Sequence, residues 1–435
     1  MGLRIAVQEE QVMNKRSRLL SYSTLLGNVL DNYDITLYAL LVPILSPLFF
    51  KQSDPIVGLI LGYGIGVVGI LSRPLGAWLF GSMVLNYGAR RTLTVILWGM
   101  MATTVALGVM PAYSVIGVIT APLLLVFIRM LQGFFSAGET TVAPLFFLEQ
   151  QPSQHLGKAS GYFEISTMIG VGLASLAGFC VYSSSHPEYY WRCAFFASVL
   201  TALPVLGLRL ASADTPVQVN NTPVKRLPCL LNLQFFLTYK YELLGIMIVN
   251  SFNWMIYTVV FIFLNAFVPL ITHITEAKML ADNSALTLLD TVLLLCFAHV
   301  VDKFPHPKWM AVMSATLACS IVPLFYYLPS FSAWGVLLMR VGLVMIGVGL
   351  VIPLNAWVFN LVDGRAKYVV SGMGRMLGAE IFGRTTATIC FGLFYCFHTT
   401  LAPALYIMIV SLATTAVLLG FSRVKTSRVL ANIGA

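Results

Sequence analysis

Apolar positions along this chain come in twelve long runs, near 21–50, 54–87, 91–111, 115–150, 157–183 and 191–213, then 241–271, 274–303, 309–328, 333–362, 367–397 and 400–421. Each reaches or exceeds the roughly 20 residues a helix needs to cross about 30 Å of hydrocarbon, and the longer ones imply tilt or extension beyond the bilayer. The expected fold is an all-α membrane protein of twelve transmembrane helices. The longest polar interruption, "ASADTPVQVNNTPVKRLPCLLNLQFFLTYK", splits the runs six and six. The expected organisation is an N-terminal tail (1–20), a six-helix bundle (21–213), a linker (214–240), a second six-helix bundle (241–421) and a C-terminal tail (422–435).

Composition agrees with the pattern. Of 435 residues, 58% are hydrophobic and 10% charged, against about 25% charged in a soluble globular protein. A water-soluble fold is excluded. The net charge of +9 acquires meaning only on the topology. With the N-terminus inside, eighteen Lys and Arg fall on tails and internal loops, Arg90, Arg91 and Arg209 among them, and only Lys51 and Lys278 fall outside. Basic residues gather on the cytoplasmic side, so both termini are expected there, in a cell inner membrane. The charge is a topology signal and not a nucleic-acid footprint. The first 18 residues lack the apolar core of a cleavable signal peptide. Seven cysteines show no CxxC or Cys/His spacing, and only Cys180 with Cys193, beside an external loop, is a candidate bridge. No cofactor or metal motif appears. Gly64-x-Gly66-x-x-Gly69 has the dinucleotide spacing but lies inside an apolar run with no flanking strand. Glycines four apart (Gly58/Gly62/Gly66, Gly157/Gly161, Gly374/Gly378) instead mark faces where helices approach closely.

The two halves echo each other. Asn28 and Asp31 in run one align with Asn250 and Asn253 in run seven, and Gly138 and Gly349 each follow an arginine (Arg129, Arg340) by nine residues. Such matches in corresponding runs fit parallel repeats about an axis normal to the membrane, two bundles related by pseudo-two-fold symmetry. Local motifs then carry a family resemblance. "GNVLDNYDITLYAL", "SRPLGAWLFGSMVLNYGARR", "PAYSVIGVITAPLLLVFIRMLQGFFSAGE", "FLEQQPSQHLGKASGY", "WRCAFF" and "ADTP" cover most of 20–216. Together they resemble the major facilitator superfamily, and within it the metabolite:proton symporter family of proline/betaine and 2-oxoglutarate permeases. The resemblance implies the major facilitator fold and alternating access. The sequence departs from the family at the loop after run two, where Leu85 stands in place of an aspartate and Ala89 in place of an arginine. Asp302, at the matching position of the second half, is kept.

Charges within the runs face a bundle interior, pair with partners, or mark a solute or proton path. Asp31, Asp34 and Tyr38 share one helix face with Asn28 a turn before. Asp34, then Asp31, are the candidates for proton coupling. Arg129, mid-run, presents a planar fork suited to a carboxylate; it either binds solute or pairs permanently with Asp31 or Asp34. Arg73, at the family's Arg-Pro, joins Arg129, Tyr38 and Asn28 as a candidate solute contact. Leu85, Arg90, Arg91, Glu139, Glu149, Asp302, Glu380 and Arg384 are candidates for gating or structural roles, the last pair as an i,i+4 bridge. Asp290 and Arg340 receive no role, and Asp290 has no obvious partner. The reading is a secondary active transporter of a small polar organic solute bearing a carboxylate, coupled to protons. A dicarboxylate such as 2-oxoglutarate and a zwitterion such as proline or betaine both remain open. The alternative is a non-transporting solute sensor on the same fold. Expected partners are the solute, the proton and lipid, with no nucleic acid, for a protein acting as a monomer and not as an enzyme.

Overall fold

The computed structural model describes residues 2–51, 72–211, 234–362 and 364–433, without the side chains of 2–18, 20, 276, 277, 280, 365 and 422–433. Every regular element among them is helical. The longer helices, in chain order, are α1 (Gly2–Phe49), α2 (72–87), α3 (Ala89–Gly108), α4 (Thr120–Glu149), α5 (Leu156–Tyr182), α6 (Pro187–Ala211), α7 (Lys240–Ile271), α8 (Glu276–Ala298), α9 (His306–Tyr327), α10 (Ala333–Phe359), α11 (367–397) and α12 (Leu401–Ile433). Ten helices among the described residues are long and apolar enough to cross a membrane. The described part of α2 begins at residue 72, and the glycines at 58, 62 and 66 lie outside the described residues. α11 is interrupted by a π segment, Gly378–Gly383, and α7 carries another, Val259–Phe263. π segments inside spanning helices often occur at functional positions.

Two compact units emerge. The first comprises residues 1–150, 166–235 and 364–372; the second comprises 151–165, 236–363 and 373–435. The first ten residues of α5 (156–165) therefore belong to the second unit, and the first turns of α11 belong to the first. The linker expected at 214–240 lies mostly outside the described residues.

In the first unit α1 packs on α4 and α6, and α3 on α4 and α6. Its core is built from Leu37, Leu41, Phe49, Leu107, Leu125, Trp191 and Phe195, with Trp191 meeting Phe49 and Phe195 edge-on. In the second unit α9 packs on α10 and α12, and α7 on the π segment of α11. There Phe263, Phe267, Phe325, Phe391 and Phe394 form one aromatic cluster. Large apolar residues left exposed, among them Trp98, Phe127, Leu176, Phe179, Leu200, Leu288 and Tyr395, are an unfavourable surface in water and the ordinary one in lipid. The protein is a multi-pass membrane protein.

Three sequence expectations need correction. Arg209, counted among loop charges, is fully buried near the end of α6; the helix runs two residues past it, and an acidic partner inside the bundle offsets its desolvation. Asp290 is not without a partner, since Tyr257 donates to its Oδ1 at 3.1 Å; the two lie on helices distant in sequence. Cys180 and Cys193 are both free thiols.

Candidate functional site

The polar face of α1 organises the first unit. Its four residues are buried: Asn28, Asp31, Asp34 and Tyr38. They do not form one cluster, because each turn of α1 meets a different neighbour. Asn28 uses both amide hydrogens on α5, donating to Ser166 Oγ at 2.8 Å and Thr167 Oγ1 at 2.9 Å. Gly170 leaves the room that brings α5 there, since a Cβ would strike the Val29 carbonyl. Asp31 Oδ2 accepts from Thr140 of α4 at 3.2 Å. Asp34 turns to α3, accepting at Oδ2 from Thr104 at 2.7 Å. A small recess lies beside Asp34, lined by Leu30, Met100, Met101, Thr104 and Ser198, and it is too small for an organic solute.

Arg129 is half-buried in α4. Its guanidinium lies flat over Tyr38, 3.7 Å from the ring centroid, and Nη1 donates to Gln132 Oε1 at 2.5 Å. Gln132 Nε2 reaches Thr104 Oγ1 at 3.4 Å, and Thr104 donates to Asp34. A polar chain thus runs Arg129–Gln132–Thr104–Asp34, with Asp34 and Arg73 in electrostatic range of the guanidinium. Among the described residues Arg129 has no direct ion pair, so the permanent pairing with Asp31 or Asp34 is not what the structure shows. Arg73, buried on α2, lies in electrostatic range of Asp31 and runs beside Gly133 of α4. Gln132 and Thr104 were not singled out in the sequence. Gln132 is one turn after Arg129, a spacing that signals the contact; Thr104 carries no such signal.

Glu139 pairs with Arg209 at 2.5 Å, both fully buried, and Arg209 also donates to the Leu93 carbonyl at 2.5 Å. A Cβ on Gly27 would meet both charged groups, so the glycine makes the slot in which the pair sits. Arg90 caps the end of α6 by donating to the carbonyls of Arg209 and Leu210, each at 2.8 Å. Arg91 is exposed at the start of α3. Leu85 is buried, one turn after Gly81, which touches the backbone of Tyr368 and Val369 in the first turn of α11. Glu149, at the end of α4, lies in electrostatic range of Lys367 at that same start.

In the second unit Asp302 receives the first backbone N–H groups of α5. Its Oδ1 accepts from Gly157 at 2.7 Å and its Oδ2 from Lys158 at 2.9 Å, with His306 Nε2 at 3.3 Å. This satisfies donors that a helix start otherwise leaves orphaned. Glu380 and Arg384 lie 3.4 Å apart, and Arg384 stacks on Trp254. Arg340 is locked by the carbonyls of Met279 and Val260 and by Asn283, a structural role unlike that of its repeat counterpart Arg129. Asn250 donates to the Arg375 carbonyl at 2.7 Å.

Comparison with known proteins identifies the family and the fold. The Major Facilitator Superfamily model matches residues 24–384, and the chain belongs to that family. A proline/betaine transporter of Salmonella typhimurium is 32% identical over 195 residues, a stretch that spans 44% of this chain and only 39% of the relative's own length. The shikimate transporter of Escherichia coli is 26% identical over 393 residues, covering 86% of this chain and 87% of the relative. Among solved structures, the proton:xylose symporter XylE superposes with a TM-score of 0.68 at 13% identity, over 94% of this chain and 96% of that one. The E. coli fucose:proton symporter FucP gives 0.68 at 11% identity, over 92% and 98%. At such identities the likeness is one of fold.

Proposed function

We propose that the protein is a secondary active transporter that moves a small polar organic solute bearing a carboxylate, with protons, by alternating access. One observation carries the reading: the guanidinium of half-buried Arg129 lies over Tyr38 with no carboxylate paired to it among the described residues, yet is wired to Asp34 through Gln132 and Thr104. A solute carboxylate offers Arg129 two parallel charge-assisted hydrogen bonds in place of its single bond to Gln132. Releasing Gln132 alters its hold on Thr104, and with it the environment of Asp34. A proton arriving at Asp34 removes the acceptor charge that Thr104 holds and sends the same signal in reverse. Solute and proton thereby bias one network, which is the thermodynamic requirement of coupling. Asp31 and Arg73 set the surrounding charge.

The relatives named for proline, betaine and shikimate support a carboxylate-bearing solute, a zwitterion in the first two and a hydroxylated monocarboxylate in the third. The basic bias supports a cytoplasmic location for both termini: without Arg209, seventeen Lys and Arg stand on one side against Lys51 and Lys278 on the other. The test is uptake of a panel of labelled organic acids and zwitterions into proteoliposomes, with and without an inward pH gradient. Accumulation of one class only when the exterior is acidic is the expected result. Binding without flux would instead make the protein a sensor, and equal uptake with no gradient dependence would remove the proton.

A further inference from the structure

The second unit holds a group of buried charges that the reading above does not use. Glu164 of α5 accepts from Asn355 Nδ2 of α10 at 2.7 Å. Asp290 of α8 accepts from the Tyr257 hydroxyl of α7 at 3.1 Å. Glu164 lies in electrostatic range of both Tyr257 and Asp290, and also of Arg375 of α11. Glu164 faces the Arg375 guanidinium, Asp290 faces Tyr257 and Glu164, and among the described residues neither carboxylate makes a direct ion pair. Three buried polar atoms here lack any hydrogen-bond partner: Asp290 Oδ2, Asn355 Oδ1 and Arg375 Nη1. Asp290 and Asn355 are at most 1% exposed. Leaving a buried charged oxygen unpaired costs a large fraction of its desolvation penalty, so the two unpaired acceptors are an unfilled coordination set. Glu164 and Tyr257 are half-buried, which gives the set an approach. The helices supplying Tyr257 and Arg375 each carry a π segment within one turn of that residue, Val259–Phe263 and Gly378–Gly383.

We propose that the second unit carries its own site for one monovalent cation, H⁺ or Na⁺, held by Asp290 and Glu164 with the Asn355 carbonyl and the Tyr257 hydroxyl. Arg375 lies in range of Glu164 and no described cation does so for Asp290, so one cation balances the second carboxylate and supplies the partner that Asp290 Oδ2 lacks. The other charges nearby are accounted for: Asp282 pairs with Lys278 two turns along α8, Glu380 with Arg384 on α11, and Arg340 is bound to backbone. The site shares no residue with the Asp34 network.

The experiment needs no solute. The purified full-length protein is titrated with NaCl, using choline chloride to hold ionic strength constant, and separately with H⁺ from pH 8.5 to 5.5, while its thermal midpoint is followed. A ligand that binds only the folded state raises that midpoint with its concentration. Wild type is expected to be stabilised by Na⁺ if the site takes sodium, or by acidification if it takes a proton. Asp290→Asn, which removes the charge at constant shape, should weaken the apparent affinity for that cation at least ~10-fold, a 1.4 kcal/mol effect. Glu164→Gln, at a half-buried position, repeats the test should Asp290→Asn fail to fold. A wild-type midpoint indifferent to both cations overturns the proposal. So does an unchanged response in Asp290→Asn or, where that variant does not fold, in Glu164→Gln.

Discussion

A single guanidinium in lipid costs roughly 2.5–3.5 kcal/mol on insertion scales, and this chain handles that cost differently at each arginine. Arg340 is silenced by backbone carbonyls, and Arg209 is matched by Glu139. Arg129 is left with a ring face and a neutral amide, the arrangement of a group kept ready for an outside anion. Arg129→Lys keeps the charge and loses the planar fork, so solute uptake should fall at least ~10-fold; near-normal uptake kinetics in this variant would end the clamp reading. Gly27 tests the other case. A methyl at Gly27 enters the Glu139–Arg209 contact, and breaking a buried pair costs about 3–5 kcal/mol. Gly27→Ala should therefore lose much of its folded yield, and a thermal melt matching wild type would show that the pair has room to shift.

At the scale of elements, helix ends and interruptions matter more than helix interiors. The start of α5 is fixed by Asp302, whose two oxygens take two backbone N–H groups. Removing such a cap costs about 0.5–2 kcal/mol. Asp302→Ala should lower the thermal midpoint and raise hydrogen exchange at Gly157 and Lys158, both of which lose their acceptor. Exchange unchanged at those two amides would mean that other groups cap the helix. The first turn of α11 has no such carboxylate from the end of α2, because Leu85 occupies that place. It rests instead on close backbone packing at Gly81 and on the charge of Glu149.

For the whole molecule the predictions concern coupling and orientation. Asp34→Asn should abolish accumulation against a gradient while leaving solute exchange, because exchange needs no net proton movement. Uptake by wild type should rise as the exterior is acidified, and Asp34→Asn should flatten that rise. If Asp34→Asn still concentrates solute under a pH gradient, Asp31 is the next carboxylate to test. Cysteines added at either end of the chain should react with a membrane-impermeant reagent only after the cytoplasmic face is opened. Labelling of intact cells would reverse the proposed topology.

The helical membrane class was fixed by local sequence, because a span must satisfy its own backbone hydrogen bonds and be apolar over about 20 residues. Both properties are written contiguously. The family followed from motifs in 20–216, and Asp31, Asp34 and Arg129 were visible because a charge in an apolar run is rare enough to stand out. What partners each charge has was not legible. Whether Arg129 met Asp34 directly or through Gln132 and Thr104 depends on how α1, α3 and α4 are turned about their axes. The burial of Arg209, two residues from a helix end, depends on Glu139 reaching it past Gly27. Glu164 meets Asp290 and Arg375 across 126 and 211 residues of chain. Pairing in a bundle is set by helix rotation and close approach, and hydropathy, which carries only length and face, does not encode either.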